Sequence, residues 1–483
     1  MLLRTSLYIM VFIASLLFLK AGTPKVRRIV LLAGSYVLYS TWAVWFAVVL
    51  FASTVINFGF GNWIRKKSSA LALPLGIVFN LLLLSSFKYV PQLAANLSLL
   101  HGFSHIALPL GISFWTFQAM SYLFDCHYRS ENLDPSFVEF ALYMSFFPVV
   151  ISGPICRMPQ MLPQFRSQKR TNWKEIGDGL SRMAAGILMM QLAKLLGQGI
   201  LSGDGIASGF DHLSRWTGPD VWCLAFGYGL QLFFDFAGYS HMAIGAAKAL
   251  GFTVPENFAR PFQSITPSIF WTRWHMSLSF WIRDYVFLPF AMLRRELWWQ
   301  NLGLILSMVI FGVWHKATLL FVLWGCYHGV LLVGHRTIQE FEIRLDWIPS
   351  ERFWTPISWL VTMAAVSLGW IFFRAGSLGQ AKEMLAVLVS PSTYASHLIS
   401  GSLYLLVVGL AAGYAIVLLV SDMLAGHVHQ VEAGSSEPIG IVTLAARWRW
   451  FWLPPIYALL LLFVSIITTG QGGTAAQLMY RRF

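Results

Sequence analysis

Between Trp271 and Gly329 the chain sets three histidines and an Arg-Asp pair into a strongly apolar, tryptophan-rich background. The stretch opens Trp271-Thr-Arg-Trp-His275-Met-Ser-Leu-Ser-Phe-Trp-Ile-Arg283-Asp284. It crosses an apolar run to Gly-Val-Trp314-His315 and closes on Val322-Leu-Trp-Gly-Cys-Tyr-His328-Gly329. Ionisable groups are costly within a bilayer, so each is a functional candidate. His315 lies deepest by sequence distance from either flank. A neutral imidazole there can take a proton from a hydroxyl, as a general base does. The competing reading is a buried histidine satisfied by a backbone carbonyl of a neighbouring helix, and for His315 both stay open on this pattern alone.

The other candidates divide by helical phase. His328 follows His315 by 13 residues, which at 100° per residue leaves about 220°, so a continuous helix puts the two on opposite faces. They share a cavity only if the helix breaks, with Gly325 the expected place; otherwise His328 is a packing or supporting group. His335, seven residues on, is expected at the membrane interface. His275, Ser279 and Ile282 share one face of an expected helix whose ends carry Arg273, Arg283 and Asp284. An interfacial helix anchored by Trp271, Trp274 and Trp281 explains that segment equally well. Asp235, with Gln231 and Tyr239 at i−4 and i+4, makes a polar stripe on an apolar helix. It can orient a histidine or substrate, or pair with Lys194 or an arginine.

The elements around these residues read as membrane helices. Of 483 residues, 57% are hydrophobic and 11% charged, against roughly 25% charged in soluble domains. The composition predicts an all-α, polytopic integral membrane protein with about eleven to thirteen membrane-embedded helices. Length suggests several soluble domains, but the repeated apolar segments favour one membrane-embedded body over 1–483. The net charge of +13 fits cytoplasmic loops obeying the positive-inside rule. No Lys/Arg run alternates with aromatics as a nucleic-acid groove requires, so no nucleic-acid partner is expected. Cys126, Cys156, Cys223 and Cys326 have no metal-ligand spacing and read as packed thiols.

In chain order, 7–19 reads as a retained first span, followed by a basic loop at Lys20, Lys25, Arg27 and Arg28 that is placed in the cytoplasm. Residues 29–60 are too long for one crossing and predict two helices or a bent pair. Spans follow at 71–87 and 106–123, and 137–151 is apolar up to the break at Ser152-Gly153-Pro154. Over 158–165, Pro159 and Pro163 predict a short amphipathic or re-entrant piece rather than a regular helix. Residues 169–182 read as a basic loop, 183–201 and 221–250 as spans, 251–267 as a connector and 340–352 as a loop. The reading continues with spans at 354–373, 403–420 and 448–468, an amphipathic helix at 378–388, and a loop at 422–440.

The chemistry is narrowed by absences. The chain has no G-x-S-x-G elbow, no Walker A and no H-E-x-x-H. No metal site is expected. Activation of a group to be transferred must then come from the donor itself, such as a thioester.

In the order and spacing of several blocks, the chain resembles the membrane-bound O-acyltransferase (MBOAT) family, in its bacterial alginate O-acetylation branch. The blocks are Leu108-Pro-Leu-Gly-Ile-Ser-Phe-Trp-Thr-Phe-Gln118, Ser145-Phe-Phe-Pro148 with Ser152-Gly-Pro-Ile155, and Phe234-Asp-Phe-Ala-Gly-Tyr-Ser240. They continue with Trp271 to Ser279, Arg283-Asp-Tyr285, Trp314-His315, Val322-Leu-Trp-Gly325 and His328-Gly329, and Phe372-Phe-Arg374-Ala375 matches that branch in particular. The resemblance implies that His315 is the catalytic histidine lining a central channel and that His275 is the supporting one. Asp235, Trp314, Lys316, Arg283 and His328 stand as substrate-binding or supporting candidates. It implies a core over about 105–390, with additional transmembrane helices in 1–104 and 391–483.

It further implies transfer of an acyl group, expected to be acetyl, from a cytoplasmic thioester (acetyl-CoA or an acyl carrier protein thioester) for O-acetylation of an exported polysaccharide. No bound cofactor is expected. The partners implied are the bilayer and a periplasmic or membrane-anchored acyltransferase, and the place is the bacterial inner membrane. Three positions depart from the family pattern: Lys316 where Gly is common, His241 where Asp is usual, and Leu319 or Leu320 where Trp is expected. Lys316 would oppose a second positive charge beside it or bind an anionic donor phosphate.

Two other functions compete. One is D-alanyl or other acyl transfer to a cell-envelope polymer. The other is a proton-coupled transporter using Asp235 and the histidines, which calls for internal pseudo-symmetry that the sequence does not display. A purely structural membrane subunit leaves His315 and Asp235 unexplained.

Overall fold

The computed structural model describes residues 2–21, 23–66, 70–94, 107–128, 133–167, 171–200, 203–342 and 351–432, with positions 456 and 460. Among them there is no strand. The chain begins with α1 (Leu2–Ala21) and α2 (Pro24–Ser40). Thr23 caps α2, its hydroxyl accepting from the Val26 amide at 3.4 Å, and Pro24 occupies the first turn. A turn then leads to α3 (Val44–Arg65), so 29–60 does divide into two helices. Next come α4 (Ala72–Lys88), α5 (Val90–Ala94) and α6 (Ile112–Tyr128). A capping box of Ser136 and Glu139 opens α7 (Phe137–Ser145).

Two segments differ from expectation. Residues 158–165 form a regular helix, α8 (Met158–Arg166). Pro159 falls in its first turn, where no amide partner is needed, and Pro163 is carried inside. The expected basic loop at 169–182 is helical from Trp173, as α9 (Trp173–Gln198). Asn172 and Glu175 cap each other's amides at 2.7 and 3.1 Å, an N-x-x-E signature hidden among basic residues.

The chain continues through α10 (Ile206–Asp211), α11 (Gly218–Ala249), α12 (Pro267–Arg273) and α13 (Met276–Ile282). A π-helical turn at Arg283–Phe287 precedes α14 (Leu288–Ala291). After these come α15 (Leu297–His315), α16 (Leu319–Glu342) and α17 (Glu351–Arg374). The expected amphipathic helix is α18 (Leu378–Leu388), capped by Ser377. Last comes α19 (Gly401–Glu432), so 422–432 is helix and not loop. The expected loop within 340–352 falls largely, and the expected span at 448–468 almost wholly, outside the described residues.

Among the described residues, seven helices are long and apolar enough to cross a membrane. They are Val44–Arg65, Ala72–Gln92, Gly218–Ala249, Leu297–His315, Leu319–Glu340, Trp354–Arg374 and Gly401–Met423. The 17-residue α6 and α9, which carries charge in its first three turns, are not among them. The protein is an all-α, polytopic membrane protein. Exposed Leu405, Val408, Ile416 and Leu419 along α19 are what a lipid-facing surface requires.

The fold divides into two compact units. The first comprises Met1–Met183, Ser240–Pro261 and Trp271–Gly303. In it α2 packs on α1 and α7, and α6 packs on α3 and α4. Asn57 and Asn80, both fully buried, exchange amide hydrogen bonds of 3.2 and 2.6 Å and tie α3 to α4. A paired amide of this kind fixes helix register in an apolar setting where an unpaired one is costly.

The second unit comprises Ala184–Tyr239, Phe262–Phe270 and Leu304–Phe483. Here α17 packs on α16 and α18. Asp220, in the first turn of α11, accepts from Thr217, from the amides of Leu398 and Ile399 and from the Tyr404 hydroxyl at 2.8 Å. One carboxylate thereby pins the entry of α19 to the start of α11.

Candidate functional site

His315 is the last residue of α15. The helix stops because the chain turns: the Lys316 amide still reaches Gly312 at 3.2 Å, and Thr318 donates to Lys316 at 2.8 Å before α16 starts. The break between His315 and His328 therefore lies at 316–318 and not at Gly325, which stays helical. Gly325 has a different task. A Cβ added there would stand 2.5 Å from the Met308 carbonyl, one at Gly312 2.1 Å from the Phe321 carbonyl, and one at Gly329 2.7 Å from Ile305 Cα. These glycines let α15 and α16 pack backbone to backbone.

That hairpin and α17 wall His315 with rings. Its imidazole stacks on Phe311 (centroids 5.4 Å apart, planes 15°), and Trp314 and Phe373 stand edge-on at 4.6 and 5.0 Å. Phe321 and Trp324 complete the surround at 6.1 and 6.0 Å. The residue is 8% exposed, where His328 is 0% exposed. His328 packs on Trp324 at 4.9 Å and lies against Gly369 of α17, where a Cβ would come within 2.4 Å of Nε2. Trp324 thus lies against both histidines, and His328 is fully packed. His335 meets Ser268 through Nδ1 at 2.9 Å. Lys316 is exposed.

Sequence reasoning missed most of this wall. Phe311 and Phe321 carry no signal of their own, while Phe373 lies in the block Phe372-Phe-Arg374. Tyr228 was also missed. It is one ring removed, 6.4 Å from Phe373, and its hydroxyl is buried without a hydrogen-bond partner among the described residues. Tyr228, Gln231 and Asp235 fall on one face of α11 at spacings of three and four, and all are buried. Gln231 abuts Gly197 of α9, a Cβ there coming within 2.4 Å of its Nε2.

The first unit holds His275 and Arg283. The expected helix through 271–284 is interrupted at His275, which takes the left-handed conformation (φ 42°, ψ 51°) between α12 and α13. A non-glycine residue there is strained by about 1–2 kcal/mol, and neighbouring hydrogen bonds impose it. The Met276 amide donates to the Asn257 carbonyl at 2.8 Å, and the Ala259 amide to Arg273 at 3.0 Å. Asn257, fully buried, donates to Ser240 at 3.0 Å and accepts from the Ser277 hydroxyl at 2.6 Å, which in turn accepts from the Ile155 amide. His275 therefore does not share a helical face with Ser279 and Ile282. Burial pushes its imidazole down to about 3, so it is neutral at ordinary pH.

Arg283 and Asp284 are more than an interfacial pair. Asp284 bridges Arg283 at 2.7 Å and Arg157 at 3.1 Å, and Arg157 lies over the Tyr285 ring, whose hydroxyl donates to Asp125 at 3.0 Å. His241 accepts from Arg182 Nε at 3.2 Å while the same guanidinium pairs with Glu256. At His241, one of the expected departures, the ring thus accepts from Arg182 while Glu256 carries the countercharge. Among the described residues no cluster of His, Cys, Asp and Glu could hold a metal ion. The four cysteines are free thiols.

The structure gathers Trp314, His315 and, through Trp324, His328 into one cluster. Asp235 and Lys316 belong to the same unit, and His275 and Arg283 to the other.

Comparison with known proteins follows the same line. The profile of MBOAT, the membrane-bound O-acyltransferase family, matches residues 28–371. The probable alginate O-acetylase AlgI of Azotobacter vinelandii is 33% identical over 81% of this chain and 78% of its own length. A peptidoglycan O-acetyltransferase of Helicobacter pylori is 29% identical over 76% of this chain and 75% of its own length. A teichoic acid D-alanyltransferase of Bacillus subtilis is 30% identical over 55% of this chain and 68% of its own.

Proposed function

The chain belongs to the membrane-bound O-acyltransferase family and is an O-acyltransferase, and from that premise we propose that it moves acetyl groups from a cytoplasmic thioester for O-acetylation of an exported polysaccharide. The observation that carries the residue assignment is the placement of His315: at a helix end, in an aromatic wall, and slightly exposed where His328 is sealed. Acetyl is favoured over D-alanyl because the alginate and peptidoglycan relatives match three quarters of the chain or more, and the teichoic acid relative only 55%.

In this reading His315 is the general base. It takes the proton of an acceptor hydroxyl as the oxygen attacks the thioester carbonyl carbon. The carbon–sulfur bond then breaks, and the departing thiolate receives the proton. The C-terminal end of α15 carries partial negative charge, which stabilises the positive imidazole formed in between. The aromatic wall limits water and with it loss of the acyl group to hydrolysis. Lys316, exposed one residue on, offers charge to an anionic donor. His275 and Asp235 act as positioning groups. A bacterial inner-membrane location follows from a cytoplasmic donor and an exported product. A periplasmic or membrane-anchored acyltransferase partner would complete delivery to the polymer.

Membranes containing the chain, given thioester labelled in the acetyl group, are expected to release free thiol and to place label in ester linkage on a cell-envelope polysaccharide. Proton-coupled uptake with no thiol release would sink this reading.

A further inference from the structure

A cavity of about 270 Å³ lies in the first unit, between the start of α2, the end of α8 and the turn after α11. Arg27, Arg28, Gln164, Ser167, Thr171 and Gly251 line it, and no carboxylate does so among the described residues. Arg27 is only 7% exposed. Arg28 reaches the buried carboxylate of Glu139, which Arg166 also holds at 3.0 and 2.9 Å. Two guanidinium groups already share Glu139, and Arg27 adds a third positive charge to this side of the unit.

The rest of the wall is built from neutral groups paired among themselves. Gln164 clamps Thr253, its amide donating to the carbonyl at 2.9 Å and its oxygen accepting from the amide at 2.7 Å. The end of α11 is closed by a Schellman motif: Gly251 donates to Lys248 and Phe252 to Ala247, both at 2.9 Å. Those terminal carbonyls are thereby satisfied within the turn. Gly251 has φ 86°, and a Cβ there would stand 2.5 Å from the Thr171 hydroxyl oxygen, so glycine keeps the space open.

We propose that this cavity is a binding site for a phosphate group. The arginines supply planar, forked donors that match phosphate oxygens, and the Ser167 and Thr171 hydroxyls supply neutral ones. The volume is just below the roughly 300–1,000 Å³ of pockets that enclose a drug-sized ligand. A phosphate with a few attached atoms enters, and the remainder of its carrier stays outside. The phosphate can come from a pantetheine-type thioester or from a lipid headgroup. The site rests on its own residues and not on the acyl-transfer reading, so it is tested by binding.

Purified full-length protein in phosphate-free non-ionic detergent is titrated with inorganic phosphate, with chloride at matched ionic strength as reference, and thermal unfolding is followed. A saturable rise in Tm is expected with phosphate only. Arg27→Gln should weaken the affinity about tenfold or more, and the double variant Ser167→Ala/Thr171→Val at least about threefold. The double variant changes no charge, so it decides the matter should Arg27→Gln fail to fold. Two competition arms identify the source: 4′-phosphopantetheine against pantetheine, and a short-chain phosphatidic acid against the matching diacylglycerol. Preference for the phosphorylated member in either arm supports the site. No saturable shift with phosphate, or unchanged affinity in the double variant, overturns it.

Discussion

His275 and His315 sit in neighbourhoods of opposite construction. Around His275 the backbone itself is tied: a left-handed residue, a fully buried Asn257, and serines 240 and 277 linking three separate segments. Around His315 the immediate surround is rings from α15, α16 and α17, and the backbone simply ends a helix. A network like the first holds geometry, since each bond lost leaves another buried group unsatisfied. A wall like the second shapes a space and limits water around the imidazole. On the proposed reading, one histidine positions and the other performs chemistry.

Substitutions can break or sharpen that contrast. The largest effect is expected at His315→Ala: transfer falls by about 100-fold or more, the range of general-base contributions, with thermal stability little changed. Asn257→Ala should show the reverse pattern, a stability loss of about 2–3 kcal/mol from stranded serines, read by denaturation, with turnover per folded molecule less affected. Gly369→Ala presses on His328, and about 1–3 kcal/mol of overpacking outweighs the gain in helix propensity of about 1 kcal/mol. It should lower Tm modestly.

The smallest effect is acid-dependent. Burial alone would raise the Glu139 carboxyl, but hydrogen bonds from Arg166 and Ser136 outweigh it and hold the group at about 2, below its ordinary 4.5. Its folded pKa is depressed, so its contribution is complete above about pH 4.5 and is lost as pH falls toward 2. Glu139→Gln should flatten the decline of Tm in that window.

Much of this was legible in the sequence, and the failures are instructive. Apolar runs mark out helices because the chain must satisfy its amides internally in lipid, and the division of 29–60 into two helices follows from length, though its place at Ser40 does not. Helical phase separated His315 from His328, yet it put the interruption at Gly325. There glycine serves close packing, and the turn at 316–318 lacks any strong breaker. His275 was misread for a related reason. Its left-handed backbone is imposed by Asn257, 18 positions earlier, and no local pattern announces it. The rings around His315 were invisible because phenylalanine is common throughout an apolar chain, and only packing selects Phe311, Phe321 and Phe373. The cavity at Arg27 is masked in the sequence by a basic run expected as a loop, whereas Lys25, Arg27 and Arg28 lie in α2.

The most direct test of the division between the histidines is thiol release from an acyl-thioester, with Tm measured on the same purified sample, for wild type and His315→Ala. The account predicts an inserted, thermally normal variant whose thiol release is lost. A His315→Ala protein that releases thiol at the wild-type rate would contradict it.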